Sequence, residues 1–534
     1  MGSFEWFHGC LSAQRLADFM DSDQFMEATA YLAEYIVAYR NGLISGCKHV
    51  LPDFEKIRPG YLRALLPETA PEVGEPFSAL MSDVTEKIMP GMTHWQHPNF
   101  HAYFPTCATY PSLLGDFLSL AIAPLGLTWL SCPACTELEV IVLDWLVHAF
   151  GLPKKFLSSG NSANNFETNG GGTIESSASL ACATLVLGVR ERALTQLAGE
   201  QKCNPDGLHG RNVTEHLNRL VGYTSDQAHC SVFRAFRIAM IRYRELPTER
   251  VGRKRVFNAK VLCKVIARDV SLGLIPLICV ATMGTTSTCE FDDIEAIGRV
   301  CKQYNVWLHL DAAYAGAALL CPEYRYLANG VEFADSFCFN GNKLLRVHFD
   351  CSIMWFADHR VITKAFEEEV TYLRSDFQGM PEYRNWSISL ARRFRALKLW
   401  FTLRAYGLEE LRNYIRQHVA MANAFKHLVS LDERFEICND VRFGLVCFRL
   451  KGKNGLTQEL NDWLLKDGRV FMVPGSLKDA KNQHTTVYFL RFVASPQTML
   501  ANVHFTYEVI SEAAEMVLVS SRIQEFREGV TSKH

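Results

Sequence analysis

The sequence predicts an α/β fold in which a large sheet-containing domain is followed by a smaller α+β domain. Short β-type runs alternate with helical segments through the middle of the chain, and this alternation is typical of a sheet flanked by helices. Two runs end near residues with useful chemistry: 306–311 ends in Asp311, and 333–340 ends in Asn340, just before Lys343. The other predicted strands are 220–224, 276–283, 352–356, 444–450 and 487–493.

The N-terminal part of the chain is predicted to be a helical arm. Apolar side chains recur at helical spacing over 20–46, so we expect an amphipathic helix whose apolar face needs a partner surface. Prolines interrupt 52–76, which favours an extended arm that embraces a second subunit. The predicted domains are the N-terminal extension and arm over 1–109, the large domain over 110–397 and the small C-terminal domain over 398–534.

An uncharged segment over 117–136 is long enough to span a membrane. Pro124, Gly126 and Pro133 interrupt its helical continuity, so we expect it in the protein core or in a subunit interface, without membrane contact.

The next predicted feature is a turn suited to phosphate. A stretch rich in glycine, serine and asparagine over 158–172 precedes a predicted helix over 173–192. Backbone N–H groups at such a helix start, with the hydroxyls of Ser177 and Ser179, could bind a phosphate. Ordinary capping of the helix by serine is the alternative explanation.

Bulk composition is that of an ordinary globular protein. The chain has 534 residues and a net charge of −2, which gives no general attraction to nucleic acid or to anionic membranes. Seventeen cysteines without a regular framework favour reduced thiols and a cytoplasmic location, and no metal site is expected. Cys132 and Cys135 have redox spacing but lack the usual βαβ context, so we interpret them as buried small residues.

Lys343 and Asp311 together point to pyridoxal phosphate chemistry. A lysine that can form a Schiff base, held with an acid that can pair with a pyridinium nitrogen, is the minimal protein equipment for this cofactor. Each follows a predicted strand, and ligands of open α/β sheets bind beyond the carboxyl ends of the strands. His229, Thr286 and Asn340 also follow or end predicted strands, and an imidazole there could stack on an aromatic cofactor.

Six strings in the chain resemble the group II pyridoxal-phosphate decarboxylases, specifically the animal aromatic-L-amino-acid and histidine decarboxylases. The strings are Pro90-Gly-Met-Thr-His-Trp95, His101-Ala-Tyr-Phe-Pro-Thr106, Ser131-Cys-Pro-Ala-Cys-Thr-Glu-Leu-Glu139, Ser225-Asp-Gln-Ala-His229, His309-Leu-Asp-Ala-Ala-Tyr-Ala-Gly316 and Ala391-Arg-Arg-Phe-Arg395.

The resemblance implies a fold-type-I homodimer with a mainly parallel seven-stranded sheet and active sites at the subunit interface. It implies catalytic roles for Lys343, Asp311, His229 and Tyr372, where the tyrosine lies on a mobile loop and protonates the substrate carbon after CO₂ leaves. Implied cofactor-binding residues are Ser177, Ala178, Ser179, Thr286, Asp311, Ala313, Asn340 and Lys343; implied substrate-binding residues are Tyr103, Thr106, Leu125, Leu127, His229 and Ala391.

Several positions depart from the family pattern. The family shows Asn-Pro-His-Lys at the lysine, whereas this chain has Asn342 before Lys343. Leu180 replaces an acid after the serines, Leu127 replaces an aromatic residue, and Ala391 ends a changed tripeptide. These changes affect substrate fit, so the substrate is less well defined than the reaction.

The preferred function is decarboxylation of an aromatic L-amino acid (dopa, 5-hydroxytryptophan, tryptophan or tyrosine) to the amine. The string at 101–106 resembles the aromatic enzymes, whereas 111–116, 347–351 and 468–474 resemble the histidine enzymes, so a histidine decarboxylase is an alternative. An aromatic acetaldehyde synthase and a catalytically silent dimeric paralogue are two further alternatives.

Overall fold

The computed structural model describes residues 20–46, 49–158, 169–198, 216–252, 254–367, 380–478 and 486–531. The α-helices are α1 Ser22–Ile44, α2 Tyr61–Leu65, α3 Phe77–Asp83, α4 Tyr110–Ile122, α5 Pro133–Phe150, α6 Ala178–Ala198, α7 Cys230–Ile238, α8 Ala259–Ser271, α9 Ile294–Tyr304, α10 Gly341–Leu344, α11 Arg360–Phe366, α12 Arg395–Leu431, α13 Asn454–Asp467 and α14 Leu500–Thr531. The strands are β1 Gly171–Glu175, β2 Leu220–Ser225, β3 Arg242–Leu246, β4 Thr248–Val251, β5 Lys254–Phe257, β6 Ile275–Thr282, β7 Trp307–Asp311, β8 Ser336–Asn340, β9 Ser352–Phe356, β10 Phe435–Ile437, β11 Leu445–Leu450, β12 Val473–Lys478 and β13 Thr486–Val493.

The large sheet has the strand order β1-β9-β8-β7-β6-β2-β3 in the described part of the chain. Strands β8, β7, β6, β2 and β3 are parallel to one another, whereas β9 is antiparallel to both of its neighbours, β8 and β1. Because β1 and β8 both oppose β9, β1 runs in the same direction as the parallel strands. The prediction of a mainly parallel seven-stranded sheet is confirmed.

Apolar cores on both faces of the sheet explain why inner strands such as β6 are almost continuously apolar in sequence, whereas the edge strand β3 is mostly charged and exposed. In β7, Leu308 and Leu310 enter one core, whereas Trp307 enters the other. In β8, Phe337 joins the first core and Cys338 the second. Successive side chains of a strand point to opposite faces, so a sheet covered by helices on both faces needs apolar residues at nearly every position.

The prediction of a helix over 173–192 is wrong at its start. Gly171 and Gly172 belong to strand β1, and α6 begins only at Ala178. The glycines are needed there because other parts of the chain approach closely: a Cβ on Gly172 would lie 2.5 Å from the Trp355 side chain. The glycine run therefore permits close packing of an edge strand and does not itself open a helix.

The C-terminal part contains a smaller antiparallel sheet with the order β10-β11-β13-β12, and its core includes residues of α12, α13 and α14. Helix α12 runs from the large core to this smaller one and loses helical geometry at Gly407. The predicted domain boundary at 397/398 falls inside α12, ten residues before that break. The large and small domains are thus linked by a kinked helix.

A buried charge network ties α12 to α4 and to the segment that follows Lys343. The Lys398 side chain is fully buried, and its Nζ lies 3.6 Å from Asp116 and 3.5 Å from Asp350. The Nε2 atom of His348 lies 3.0 Å from the same Asp116 carboxylate. Buried charges must be paired to be tolerated, so these contacts fix the relative positions of three segments.

Helices α1 and α4 expose apolar side chains. The predicted helix at the N-terminus is confirmed as α1, and Met26 on it is 68% exposed. In α4, Leu118 and Leu120 are exposed, so this part of the segment predicted to lie in a core or an interface is uncovered in the single chain. In the described ranges, no helix is both long and apolar enough to cross a membrane.

Candidate active site

Polar residues lie at the carboxyl ends of several strands of the large sheet, along one common edge. Strands β8, β7, β6 and β2 are adjacent and parallel, and they end at Asn340, Asp311, Thr282 and Ser225. Strand β1 runs in the same direction and ends at Glu175, just before the serines predicted to bind phosphate. The predicted cofactor residues thus follow strands that end at a common edge.

Asp311 and Lys343 lie close enough at this edge to interact electrostatically. Burial lowers the pKa of the Lys343 amine, and the Asp311 carboxylate partly opposes that shift. Asp311 is buried, and its Oδ1 accepts a hydrogen bond from the backbone N–H of Ala313 at 3.0 Å. The predicted lysine and acid are therefore brought together in the fold.

His229 is also part of this group. It is the N-cap of α7, and its Nδ1 lies 3.2 Å from the backbone nitrogen of Ser231, whose N–H it accepts. Burial lowers the pKa of His229, whereas the Asp311 carboxylate raises it and Lys343 lowers it further. The histidine thus lies within electrostatic reach of both residues, with its ring orientation fixed by a cap.

Ser177, Ala178 and Ser179 lie where α6 begins. The Ser177 hydroxyl oxygen accepts the backbone N–H of Leu180 at 3.2 Å, so this serine caps the helix. One turn along α6, burial and the Asp311 charge raise the pKa of the Cys182 thiol, which places the start of α6 near the acid. Capping and anion binding are compatible, because a helix N-terminus has several free N–H groups.

Thr286, Asn340 and Ala313 complete the predicted cofactor residues. Thr286 is exposed on the loop after β6, and the next residue, Ser287, donates to Gln227 at 2.9 Å, two residues before His229. The backbone N–H of Asn340 donates to the carbonyl of Ala313 at 3.0 Å. The first contact joins the loop after β2 to the loop after β6. The second joins the end of β8 to the loop after β7.

The segment that carries Tyr103 and Thr106 passes beside the lysine. The Nζ atom of Lys343 lies 5.4 Å from the centre of the Phe104 ring. Tyr103 is exposed, and its ring stacks on Trp95 at a centroid distance of 5.4 Å. The backbone carbonyl of Thr106 accepts a hydrogen bond from the side chain of Gln96 at 2.7 Å. Two predicted substrate residues are therefore close in sequence to a ring that contacts the predicted catalytic lysine.

Leu125, Leu127 and Ala391 form a separate group. The backbone N–H of Gly126 donates to the carbonyl of Arg392 at 3.1 Å, which joins the loop before α5 to the segment before α12. Leu125 is 58% exposed. Among the hydrogen bonds and ring contacts of the described ranges, none joins this group to Lys343, so the structure does not bring these three predicted substrate residues into contact with the lysine.

Sequence reasoning missed two residues near Lys343, Phe104 and Arg491. Arg491 is buried, lies 5.3 Å from the Phe104 ring centre and lowers the pKa of Lys343. Its Nε and Nη2 atoms have no hydrogen-bond partner within the described residues. A charged residue in the middle of the apolar predicted strand 487–493 was the available signal.

The residues present fit pyridoxal phosphate. The edge offers a buried amine, a carboxylate for a ring nitrogen, an imidazole, and a capped helix start for a phosphate. In addition, the hydroxyl of Thr282, which is paired in register with Asp311, is buried without a partner among the described residues. An orphaned hydroxyl beside the acid is what a missing polar ligand would leave. Tyr372 lies outside the described residues.

The lowered pKa of Lys343 predicts how the cofactor-free protein takes up pyridoxal phosphate. The neutral amine is the nucleophile, and burial shifts its pKa below the ordinary lysine value of about 10.4. The rate of cofactor uptake should therefore rise with pH and level off at a lower pH than the reaction of N-acetyllysine with the same aldehyde. Stopped-flow absorbance measures both rates, and a midpoint equal to that of the model amine would contradict the assignment.

Comparisons with known proteins identify the family of this chain. The family model described as the pyridoxal-dependent decarboxylase conserved domain matches residues 59–451. An aromatic-L-amino-acid decarboxylase of Manduca sexta is 44% identical over 94% of this chain and 93% of its own length.

Two solved structures are similar over most of the chain. Tryptophan decarboxylase of Catharanthus roseus, in complex with L-tryptophan, has a TM-score of 0.83 and 34% identity over 94% of this chain and all of its own. The 4-hydroxyphenylacetaldehyde synthase of Rhodiola rosea has a TM-score of 0.81 and 32% identity over 93% of this chain and 99% of its own.

The fold and the family match define a pyridoxal-phosphate-dependent enzyme of fold type I. The extent of the match makes the family definite: the chain belongs to the pyridoxal-dependent decarboxylase family.

Proposed function

We propose that this enzyme decarboxylates an aromatic L-amino acid, releasing CO₂ and the corresponding amine. The observation that carries the proposal is its 44% identity to an aromatic-L-amino-acid decarboxylase over almost the whole chain. The geometry is compatible with it, because the lysine, the acid and the histidine interact at one sheet edge.

The chain's own residues would divide the chemistry among them. Bound pyridoxal phosphate supplies an electron sink for the electron pair left when CO₂ departs. Lys343 would hold the cofactor covalently, and Asp311 would keep a proton on the ring nitrogen so that positive charge lies where electron density accumulates. His229 would pack on the ring, and the start of α6 with Ser177 and Ser179 would bind the phosphate.

The substrate test is CO₂ release from carboxyl-labelled dopa, 5-hydroxytryptophan, tryptophan, tyrosine and histidine. We expect aromatic substrates to react and histidine to react poorly, since Tyr103 and Leu127 would present an apolar and aromatic surface to the ring. Reaction of histidine alone would show that the substrate proposal is wrong.

The strings that resemble histidine decarboxylases are weak evidence for a histidine substrate. His348, from the string 347–351, contacts Ser112 at 2.7 Å and Asp116 at 3.0 Å, both from the string 111–116. These residues belong to the buried charge network of the fold. The resemblance of these two strings to histidine decarboxylases is therefore explained by the packing of the two strings against each other and gives no support to a histidine substrate. The aromatic alternative is therefore favoured.

Tyr372 provides a test of decarboxylation against aldehyde formation. The resemblance assigns this tyrosine the protonation of the substrate carbon, and a chain that keeps both Tyr372 and His229 is expected to release amine. In the Tyr372→Phe variant, protonation should be slowed, and molecular oxygen should divert turnover toward aldehyde, CO₂, ammonia and hydrogen peroxide. An oxygen electrode and amine chromatography measure the two routes; an unchanged amine yield would refute the role.

We also propose a homodimer with active sites at the subunit interface. The exposed apolar side chains of α1 and α4 need a partner surface, and Leu125, on the loop between α4 and α5, is exposed as well. Sedimentation equilibrium should give twice the chain mass of 60.4 kDa. A monomer that is fully active would overturn the proposal.

A cytoplasmic location is proposed because the cysteines of the described ranges are free thiols. Fractionation of the native cell with activity measured in each fraction tests this location.

The alternative of a catalytically silent paralogue has a spectroscopic test. A preparation that never gains the absorbance of bound cofactor, distinct from that of free pyridoxal phosphate, would favour this alternative.

A further inference from the structure

Cys132 and Cys135 are brought into contact at the start of α5. Cys132 is the N-cap of this helix and Cys135 is its third residue, and residues at these positions lie beside each other because the first turn folds back on the cap. Their Sγ atoms are 2.7 Å apart, and both are free thiols. That separation is short for two thiols but longer than an S–S bond of about 2.05 Å, so the two sulfur atoms need to move little to form a disulfide.

The two thiols are in different surroundings. Cys132 is half-buried, whereas Cys135 is buried among the residues of the large core. Burial and the adjacent Cys132 sulfur raise the pKa of the Cys135 thiol, so Cys135 keeps its proton. Cys132 is the more accessible of the two thiols, so a peroxide would reach Cys132 first.

We propose that Cys132 and Cys135 form a reversible dithiol–disulfide site that hydroperoxides oxidise in the folded enzyme. The Cys132 thiolate attacks one peroxide oxygen and displaces hydroxide, which is protonated to water, and a sulfenic acid results. The Cys135 sulfur then attacks the Cys132 sulfur, its proton leaves with the departing hydroxyl as water, and the disulfide forms. Two thiols and one hydrogen peroxide thus give one disulfide and two waters.

A metal is not a competing explanation for the pair. Within the part of the chain that the structure describes, no group of three or more His, Cys, Asp or Glu side chains is arranged to hold a metal ion. The sequence-based interpretation of both cysteines as buried small residues holds for Cys135 but is wrong for Cys132, which is partly accessible at a helix end.

We expect oxidation of this cysteine pair to restrain the loop that precedes α5. The hydroxyl of Ser131, next to Cys132, donates to the carbonyl of Leu125 at 2.9 Å and accepts the backbone N–H of Leu127 at 3.2 Å. A disulfide fixes Cys132 to the first turn of α5 and therefore restrains the loop that carries both leucines. This consequence for turnover rests on the proposed function, whereas disulfide formation does not.

The experiment treats the full-length holoenzyme with a slight excess of hydrogen peroxide, alkylates the remaining thiols and maps the peptides by mass. In the wild type, the peptide that contains both cysteines should lose two hydrogens and take no alkyl group, and dithiothreitol should restore both thiols. In Cys135→Ser, oxidation should stop at a Cys132 sulfenic acid that dimedone traps. In Cys132→Ser, the Cys135 thiol should remain alkylatable.

Cys263→Ser is the matched control, because Cys263 is a half-buried thiol with a tyrosine hydroxyl as its hydrogen-bond partner. This variant should form the disulfide as the wild type does. Two alkylated thiols after peroxide, or over-oxidation of Cys132 without a disulfide, would overturn the proposed site. Disulfide formation should lower kcat/KM by about twofold or more. An unchanged kcat/KM in the oxidised wild type would contradict the coupling between the disulfide and the loop. An absence of turnover in the reduced enzyme would instead contradict the proposed function.

Discussion

Replacing Lys343 by alanine is expected to reduce CO₂ release by roughly four orders of magnitude or more, as loss of a covalent catalytic group does in other enzymes. The reason is local: burial lowers the pKa of this amine, and the Asp311 carboxylate lies near it, so the chain places a reactive amine beside an acid suited to a pyridinium nitrogen. Initial rates of labelled CO₂ release measure the loss. Borohydride reduction of the wild type, followed by peptide mapping, should find the cofactor on Lys343.

Two variants separate this effect from a loss of folding. Lys343→Arg keeps the positive charge but not the nucleophilic amine, so it should be as inactive as Lys343→Ala while retaining the wild-type circular dichroism spectrum. Lys260→Ala removes an exposed lysine at the start of α8 and should keep normal rates. Activity of Lys343→Arg near that of the wild type would show that another residue holds the cofactor.

Much of the cofactor site could be predicted from local sequence because it consists of residues that follow strands. Asp311 ends a run of five apolar or histidine residues, and Asn340 follows the three apolar residues 337–339, so each could be placed without knowing the strand order. Parallel pairing of β7 and β8 then brings the two ends to one edge. The only tertiary information required was that the strands are parallel, and the alternation of helices and strands supplies it.

The contacts that surround the lysine could not be predicted in this way. Arg491 lies in the small antiparallel sheet, yet it is 5.3 Å from the centre of the Phe104 ring, and the Lys343 amine lies 5.4 Å from the centre of the same ring. Strand β1 was missed for a related reason: its glycines look like a helix-opening turn until Trp355 of the neighbouring strand β9 is placed against them. Both features depend on side chains that are far apart in sequence.

Replacing Asp311 by asparagine should lower kcat by about 10²–10³-fold, the usual cost of removing one preorganised electrostatic partner of the developing charge. Asparagine is nearly the same size, so its side-chain oxygen can keep the 3.0 Å hydrogen bond from the N–H of Ala313. What disappears is the negative charge, which raises the pKa of Lys343 and, in the proposed mechanism, would keep a proton on the ring nitrogen. The variant should therefore bind cofactor and remain folded, but turn over slowly.

Asp335 gives a matched control for the position of the charge. Its carboxylate also accepts a backbone hydrogen bond, from Leu308 at 2.8 Å, but it lies just before β8, at the opposite edge of the same sheet. Asp335→Asn should change kcat by less than about twofold, because a charge that far from the reacting atoms is screened. Steady-state rates with cofactor in excess compare the two variants; equal losses in both would mean that Asp311 acts through general sheet stability and not through the charge it places at the cofactor edge.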